Sequence, residues 1–575
     1  MKNRVDGVGD DVVYRDVVII GNGPSGICLS YMLAGNRPYY TGEPHPGDEM
    51  LTARLHFSTR STNEECSEPA EKETRNVRSD RWQQQQYVGT ATVVREGKMN
   101  EKGLAGSTRC KLENLSSGLM EGRIGGRPLA LLMDHLQHPC VDVGLDVPSL
   151  LTWKSIQQHP EHKVIDHVVL GKGQPGGSWQ SMDPNVLTIS LNRWMSLPDL
   201  DIRQWEMLIG SEQLRKTNQT EGEPCAHYTF QDKPSACKTA SRISVGTVAA
   251  YYKDYVRKKG LEQYFRCGTT VTSVRPVYVA NGQQKENDRC GYQWIVDGYE
   301  NETGRPFRYR CKRVVLATGT TDLSNQLGIP DESSHADWIT HDLNDLESRL
   351  DRLIYQDQYH GNEREEERRI IDPVLVIGAG LSAADAIMAA RFRGIPVLHA
   401  FRDPSCEWNK PDTDKIRTTY DRLQGLPNSM YPEYHKVYEM MADGGSNYPL
   451  YRALSGYTLL GFTANETNAR PMVALSAPDG RVHAFRVSIV AVLIGYKPDL
   501  SYLETGSIGL GKFPEKPVDG KSNPMEVDDF TYEVIRAPES GLYALGPLVG
   551  DNFVRYILGG AFGILVDILA TSTAT

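Results

Sequence analysis

The chain has no C-x-x-C pair. Its ten cysteines stand singly at positions 28, 66, 110, 140, 225, 237, 267, 290, 311 and 406 of 575 residues, which excludes the dithiol of a disulfide reductase and the paired thiolates of a structural zinc ribbon. They do not make a disulfide framework either, so a reduced, cytoplasmic protein is expected. Positive charge is in deficit: 63 Lys and Arg against 73 Asp and Glu give a net charge of −10. Neutralising many phosphates requires a basic surface, so no binding to nucleic acid is expected. The 14 histidines include no H-E-x-x-H, and no metal site is expected. Long apolar runs are missing too. Residues 1–16 are charged and lack the apolar core of a signal peptide. The most apolar late stretch, Tyr556 to Ala570, carries Asp567 and is shorter than the roughly 20 residues of a membrane helix. No membrane span is expected.

What the chain does have is a 39% hydrophobic content, interrupted by three polar, charged stretches: Arg60 to Gly125, Ser211 to Ser241 and Asp357 to Arg369. With little apolar surface to offset ordering entropy, these read as surface insertions or linkers. Between them a strand–glycine turn–helix pattern occurs twice. Val17-Val18-Ile19-Ile20 runs into Gly21-Asn22-Gly23-Pro24-Ser25-Gly26 and then a short apolar helix. In such a turn the first glycine makes the bend, the second lets backbone approach a pyrophosphate, and the third lets the helix pack on the strand. The helix N-terminus adds free N–H groups and partial positive charge. Val374-Leu375-Val376-Ile377 repeats the pattern before Gly378-Ala379-Gly380-Leu381-Ser382-Ala383, with alanine at the packing position.

The strand after the second turn, residues 396–401, ends in Arg402. An acid in that place bonds a ribose 2′-hydroxyl, whereas a cation favours a 2′-phosphate, so NADPH is expected over NADH. For the first turn the matching ribose ligand is Glu43, after Pro38-Tyr39-Tyr40-Thr41. Farther on, Arg313 to Gly319 is a strand closing on Ala317-Thr318-Gly319, suited to carrying the chain from one nucleotide fold to the next, and Val490 to Gly495 is a degraded second copy. Gly541 to Pro547, which includes Gly546, leads to Asp551 and a small-residue helix. Asp551 reads either as a cofactor ligand or as a plain helix cap.

In this order the elements resemble the two-dinucleotide flavoproteins, particularly the flavin-containing and N-hydroxylating monooxygenases. Gly176-Gly177-Ser178-Trp179 resembles the G-G-x-W element that covers the flavin in those enzymes. The stretches DVVIIGNGPSGICLSYMLAG, PGGSWQSM, WMSLPDL, AAYYKDYVRKKGL, VIGAGLSAADAI and GLYALGPLVGDNFVRYILGGAFG are closer still to the oxidative stress-induced growth inhibitor family. The resemblance implies an α/β fold with two Rossmann-like dinucleotide-binding domains, one for FAD and one for NADPH, and polar insertions. The FAD domain would comprise residues 1–59, 161–345 and 501–575, with an insertion, partly disordered, at 60–160. A charged linker at 346–370 would lead to the NADPH domain at 371–500. FAD would be held by Gly21, Gly23, Pro24, Ser25, Gly26, Glu43, Gly176, Gly177, Trp179, Thr318, Gly319, Gly546 and Asp551, the last contacting the ribityl chain. NADPH would be held by Gly378, Gly380, Leu381, Ser382, Ala383 and Arg402.

The chemistry such a pair of cofactors implies is transfer of one oxygen atom from a flavin C4a-hydroperoxide to a nucleophilic nitrogen or sulfur. Molecular oxygen is the co-substrate, the acceptor is a small molecule or a protein, and the two cradles face a common chamber. Asn192 and Ser190, in the alternating Thr188-Ile189-Ser190-Leu191-Asn192, are candidates for polar contacts at the reacting centre. The F-x-G-x-x-x-H element of flavin-containing monooxygenases has no counterpart here beyond a histidine, His335 or His341. The resemblance also implies protein partners in growth restraint, cell death and cytokinesis, with the midbody as a location. A regulatory scaffold that keeps the fold and acts through partners is the alternative.

Overall fold

The computed structural model describes residues 12–60, 104–119, 126–140, 144–217, 241–277, 292–330, 332, 334–335, 337–359, 371–402, 423–463 and 471–573. The β-branched opening run becomes β1 (Val12–Ile20), whose Val17 to Ile20 are buried as a parallel strand requires. The proline-initiated helix α1 (Pro24–Leu33) follows. The chain then leaves the sheet: β2 (Arg37–Tyr40), α2 (Glu49–Arg60), α3 (Arg109–Ser116) and α4 (Pro128–Gln137) precede β3 (Leu151–Lys154), which pairs antiparallel with β2 in a separate two-stranded sheet. It returns as β4 (His167–Gly171), parallel to β1. Helices α5 (Ile202–Thr217) and α6 (Val245–Lys258) follow, then β5 (Phe265–Cys267), β6 (Thr269–Pro276), β7 (Trp294–Glu300) and β8 (Pro306–Leu316). The first sheet runs β5-β4-β1-β8-β7-β6.

Two crossovers, β9 (Leu323–Ser324) outward and β18 (Tyr496–Lys497) inward, pair with each other and connect this sheet to a second one. Between them lie β10 (Ile339–Thr340), α7 (Leu343–Tyr359), β11 (Val374–Ile377), α8 (Leu381–Phe392), β12 (Val397–Phe401), α9 (Pro432–Ala442) and β13 (Tyr451–Ser455). Next come the antiparallel trio β14 (Thr458–Thr463), β15 (Met472–Ser476) and β16 (Val482–Arg486), and then β17 (Ile489–Val492). The second sheet, β10-β17-β11-β12-β13, is parallel throughout. After β18 the chain rejoins the first sheet as β19 (Leu542–Ala544), parallel to β8, and ends in α10 (Ile557–Thr573). The architecture is α/β with two Rossmann-like folds.

Two segments differ from expectation. The described part of 60–160 is no loose insertion: Leu112 and Leu115 of α3 and Leu129, Leu131, Leu132 and Met133 of α4 sit in the first core. The helical spacing of α3 is diluted by the polar residues of Arg109-Cys110-Lys111-Leu112-Glu113. The front of the expected linker is α7, with Leu346 and Leu350 buried in the second core, and β10 joins the second sheet although it falls before residue 345. The remainder of the three polar stretches lies mostly outside the described residues. Val554–Thr571 is long and apolar enough to cross a membrane by composition. Here it is core, packed on α1 and α4 with Ala561, Ile564, Leu565 and Ile568 fully buried.

Candidate functional site

The turns after β1 and β11 are built to one plan. Gly21 has φ +113° and Gly378 φ +128°, conformations open to glycine. A Cβ on Gly21 would lie 2.2 Å from the Ala317 carbonyl oxygen just past β8, and one on Gly378 2.3 Å from the Leu493 carbonyl oxygen just past β17. At the third position a Cβ on Gly26 would strike the Gly21 carbonyl oxygen at 2.1 Å, whereas Ala383 is accommodated and fully buried. The middle glycines, Gly23 and Gly380, precede α1 and α8 in extended backbone and would have nothing within 4 Å of a Cβ. Each leaves an open hollow before the first-turn N–H groups, including those of Leu381 and Ser382 in α8. The hollows fit the pyrophosphate of a dinucleotide.

The first turn opens into a cleft of about 790 Å³. Gly21, Gly23, Pro24 and Ser25 form one side, with Gly177, Trp179, Thr318, Gly319 and Asp551 around them. Gly176, Gly26 and Gly546 shape the walls from behind. The Gly176 N–H donates to the Asn22 carbonyl at 2.9 Å, and a Cβ on Gly546 would lie 2.4 Å from Ser25 Oγ. Half-buried Trp179 meets Tyr252 edge-on with ring centres 6.0 Å apart. Asp551 is buried and accepts a hydrogen bond from Tyr532 Oη at 2.9 Å. Burial pushes its pKa up to about 6, against the pull of Arg127, whose guanidinium lies over the Tyr532 ring. Asp551 lies before Phe553, the cap of the next helical turn, so it is no helix cap.

Other expected residues fall elsewhere. Glu43 is exposed and off the sheet, because β2 pairs with β3 and leaves the place beside β1 to β4. Thr188, Ser190 and Asn192 are buried staples outside the cleft lining: Thr188 Oγ1 donates to the Ser190 carbonyl at 2.7 Å, and Asn192 Nδ2 to Ser241 Oγ at 3.2 Å. His341 pairs with buried Glu332 at 2.8 Å, and that carboxylate also accepts the Leu327 and Gly328 N–H groups. His335 packs on Trp338 with ring centres 5.1 Å apart. Gly378, Gly380, Leu381, Ser382 and Ala383 form the second turn, and neither they nor Arg402 line the first cleft. Arg402 follows β12 and is exposed.

The cleft also holds residues the sequence reading misses: Asn22, Lys172, Thr269 to Val271, Asp322, Asp499 and Tyr502. Only Asn22, between the first two glycines, carries a local signal. Its side chain is buried and Nδ2 donates to the Gly173 carbonyl at 2.7 Å. Among the described residues the cysteines are free. His159, Glu161 and His162 bring ligand atoms within 4.8 Å of one another, but both His162 nitrogens are engaged, with the Gly35 carbonyl and Tyr39 Oη.

No family profile matches the chain. It is similar to oxidative stress-induced growth inhibitor 1 of Mus musculus, 35% identical over 573 residues covering 97% of this chain and 95% of that one. It is also similar to oxidative stress-induced growth inhibitor 2 of Homo sapiens, 34% identical over 586 residues covering 96% and 93%. Among solved structures, the bacillithiol disulfide reductase Bdr (YpdA) of Bacillus cereus aligns with a TM-score of 0.46 at 12% identity, covering 96% of this chain and 99% of that one.

Proposed function

The chain belongs to the oxidative stress-induced growth inhibitor family, and from that membership and its two matched cradles we propose an FAD- and NADPH-dependent monooxygenase. One atom of molecular oxygen passes to a nucleophilic nitrogen or sulfur acceptor and the other leaves as water. The repeated turn geometry, Gly21 against Ala317 and Gly378 against Leu493, is the observation that carries this reading. Bound there, FAD and NADPH supply the redox and oxygen chemistry.

The chain's own part is to bind, orient and exclude water. The first-turn N–H groups of α1 hold one pyrophosphate and those of α8 the other. Asp551, kept by Tyr532, would hold the ribityl hydroxyls, and Gly177 and Trp179 would bound the isoalloxazine. Arg402 holds the 2′-phosphate. No side-chain nucleophile is needed, which agrees with Asn192, Ser190 and His341 lying away from the cleft. The relatives are named for growth inhibition, and we extend to this chain a cytoplasmic role in growth restraint, cell death and cytokinesis, through a protein acceptor or protein partners.

The test is to load the purified full chain with FAD and measure NADPH consumed and peroxide released under air. We expect bound flavin, NADPH oxidation, and peroxide matching the NADPH consumed when no acceptor is present. A folded chain that takes up no flavin would leave the scaffold reading in its place.

A further inference from the structure

The two cradles can be matched residue by residue. The Gly21 N–H donates to the Leu170 carbonyl at 2.8 Å, and the Gly378 N–H to the Ala400 carbonyl at 3.0 Å. The strand registers agree, Ile20 facing Leu170 and Ile377 facing Ala400. Two residues beyond each acceptor stand Lys172 and Arg402. Both cradles therefore carry a cation at the strand end where an adenosine ribose is read. The adenosine of FAD has free hydroxyls that need an acceptor, and a lysine offers none. The preceding residue cannot supply one, since a Cβ on Gly171 would lie 2.2 Å from the Asn22 side chain.

Two acids distinguish the first cradle. Lys172 Nζ lies 3.9 Å from Asp322 Oδ1 and 3.8 Å from Asp499 Oδ2, and all three residues line the cleft. The acids differ in their spare capacity. Asp499 Oδ1 already accepts both the Ser501 N–H and Ser501 Oγ, at 3.2 and 2.6 Å. Asp322 receives a single backbone N–H, from Asp499 at 3.2 Å, besides the distant lysine. Its side chain is only 23% exposed, and burial raises its pKa above the ordinary carboxylate value.

We propose that Asp322 is the ribose acceptor of the first cradle and that, by neutralising Lys172 together with Asp499, it makes this cradle select free ribose hydroxyls over a 2′-phosphate. Arg402, in the matching place, does the reverse in the second cradle. The acceptor thus arrives on the crossover between β8 and β9 rather than on the strand end where a local reading looks for it. This assignment rests on the first cradle being the FAD site.

The test is titration of the flavin-stripped full chain with FAD, followed by quenching of flavin fluorescence. Asp322→Asn should weaken FAD about tenfold, the loss of one charge-assisted hydrogen bond. The wild type should lose a similar factor toward an FAD analogue built on 2′-deoxyadenosine, whereas Asp322→Asn, whose neutral amide oxygen accepts more weakly than a carboxylate, should distinguish the two flavins less than the wild type does. The same variant should let 2′,5′-ADP displace FAD more readily than it does from the wild type. Glu43→Gln should leave FAD affinity unchanged. If thermal melting shows Asp322→Asn to be misfolded, Asp322→Ser, which keeps an acceptor for the Asp499 N–H, takes its place. Unaltered FAD affinity in the Asp322 variants, or variants that distinguish the two flavins as strongly as the wild type does, overturns the assignment. A wild type that binds no FAD overturns the reading of the cleft itself, and this assignment with it.

Discussion

At Gly23 the backbone is extended, φ −72° and ψ −177°, a conformation any residue adopts, and a Cβ there would meet nothing within 4 Å. The absence of a side chain at this position therefore serves what enters the hollow rather than the fold. Gly21 is the opposite case, with a positive φ and a carbonyl where a Cβ would go. Gly23→Leu should melt within a degree or two of the wild type and yet lose at least tenfold in FAD affinity, because its side chain fills the pyrophosphate space. Gly21→Ala should cost more than about 2 kcal/mol in stability. Paired thermal melts and flavin titrations check both. A Gly23→Leu chain that binds FAD normally would place the pyrophosphate elsewhere.

Helix α10 is held over the cleft by a buried ion pair. Arg555 Nε lies 2.9 and 3.0 Å from the two carboxylate oxygens of Asp134 on α4, and the guanidinium covers the Trp194 ring at 4.9 Å. Asp134 is fully buried, and His138 Nδ1 stands 3.1 Å from it. Removing the cation strands a carboxylate in the core, so Arg555→Ala should cost about 3–5 kcal/mol, measured as a fall in the urea midpoint. Phe553, Val554 and Ile557 line the cleft, so FAD affinity should fall as well. A double variant, Asp134→Leu with Arg555→Met, should recover part of the stability, and a deficit as large as the single variant's would contradict the pairing argument.

The strands beside the cradles each bury a histidine. His399 Nε2–H donates to the Gly378 carbonyl at 2.6 Å and its Nδ1 accepts from Tyr451 Oη at 2.8 Å. His167 is bonded likewise to the Ile165 carbonyl and Ser30 Oγ. Burial pushes both pKa values down to about 4. Between the ordinary pKa of about 6.5 and this value the unfolded chain binds protons that the folded chain refuses. Stability is therefore full above about pH 6.5 and falls as pH drops toward 4, by up to about 1.4 kcal/mol per unit for each histidine. Asp551, raised to about 6, works in the opposite sense, so the informative quantity is a difference. The urea midpoint of His399→Gln should change less between pH 6.5 and 4.5 than that of the wild type, and parallel curves would count against a neutral His399.

Over the whole molecule, legibility follows the range of the interactions. Both glycine turns and the returning strand with Asp551 can be read from the sequence, because each is set by a few consecutive residues obeying one steric rule. Arg402 is legible for the same reason: it closes the strand immediately after its turn. Glu43 misleads because it is the first acid along the chain at the right spacing. The strand that stands beside β1 arrives only after α2, α3, α4 and β3, and no local pattern announces that pairing. Asp322 and Asp499 reach the cleft on the two crossovers, so their meeting with Lys172 is a property of the closed fold. Asn192 and Ser190 alternate as a polar strand face would, but Asn192 Nδ2 is spent on Ser241 Oγ and the Ser190 carbonyl accepts from Thr188 Oγ1 within the same loop.

The proposed activity requires electrons to pass from a dinucleotide in the second cradle to a flavin in the first. The most direct measurement is anaerobic addition of NADPH to the FAD-loaded full chain while the flavin absorbance is followed. The absorbance should bleach with NADPH at least tenfold faster than with NADH, and Arg402→Ala should bring the NADPH rate down to the NADH rate. A chain that holds its flavin but keeps it oxidised under both coenzymes would contradict the account.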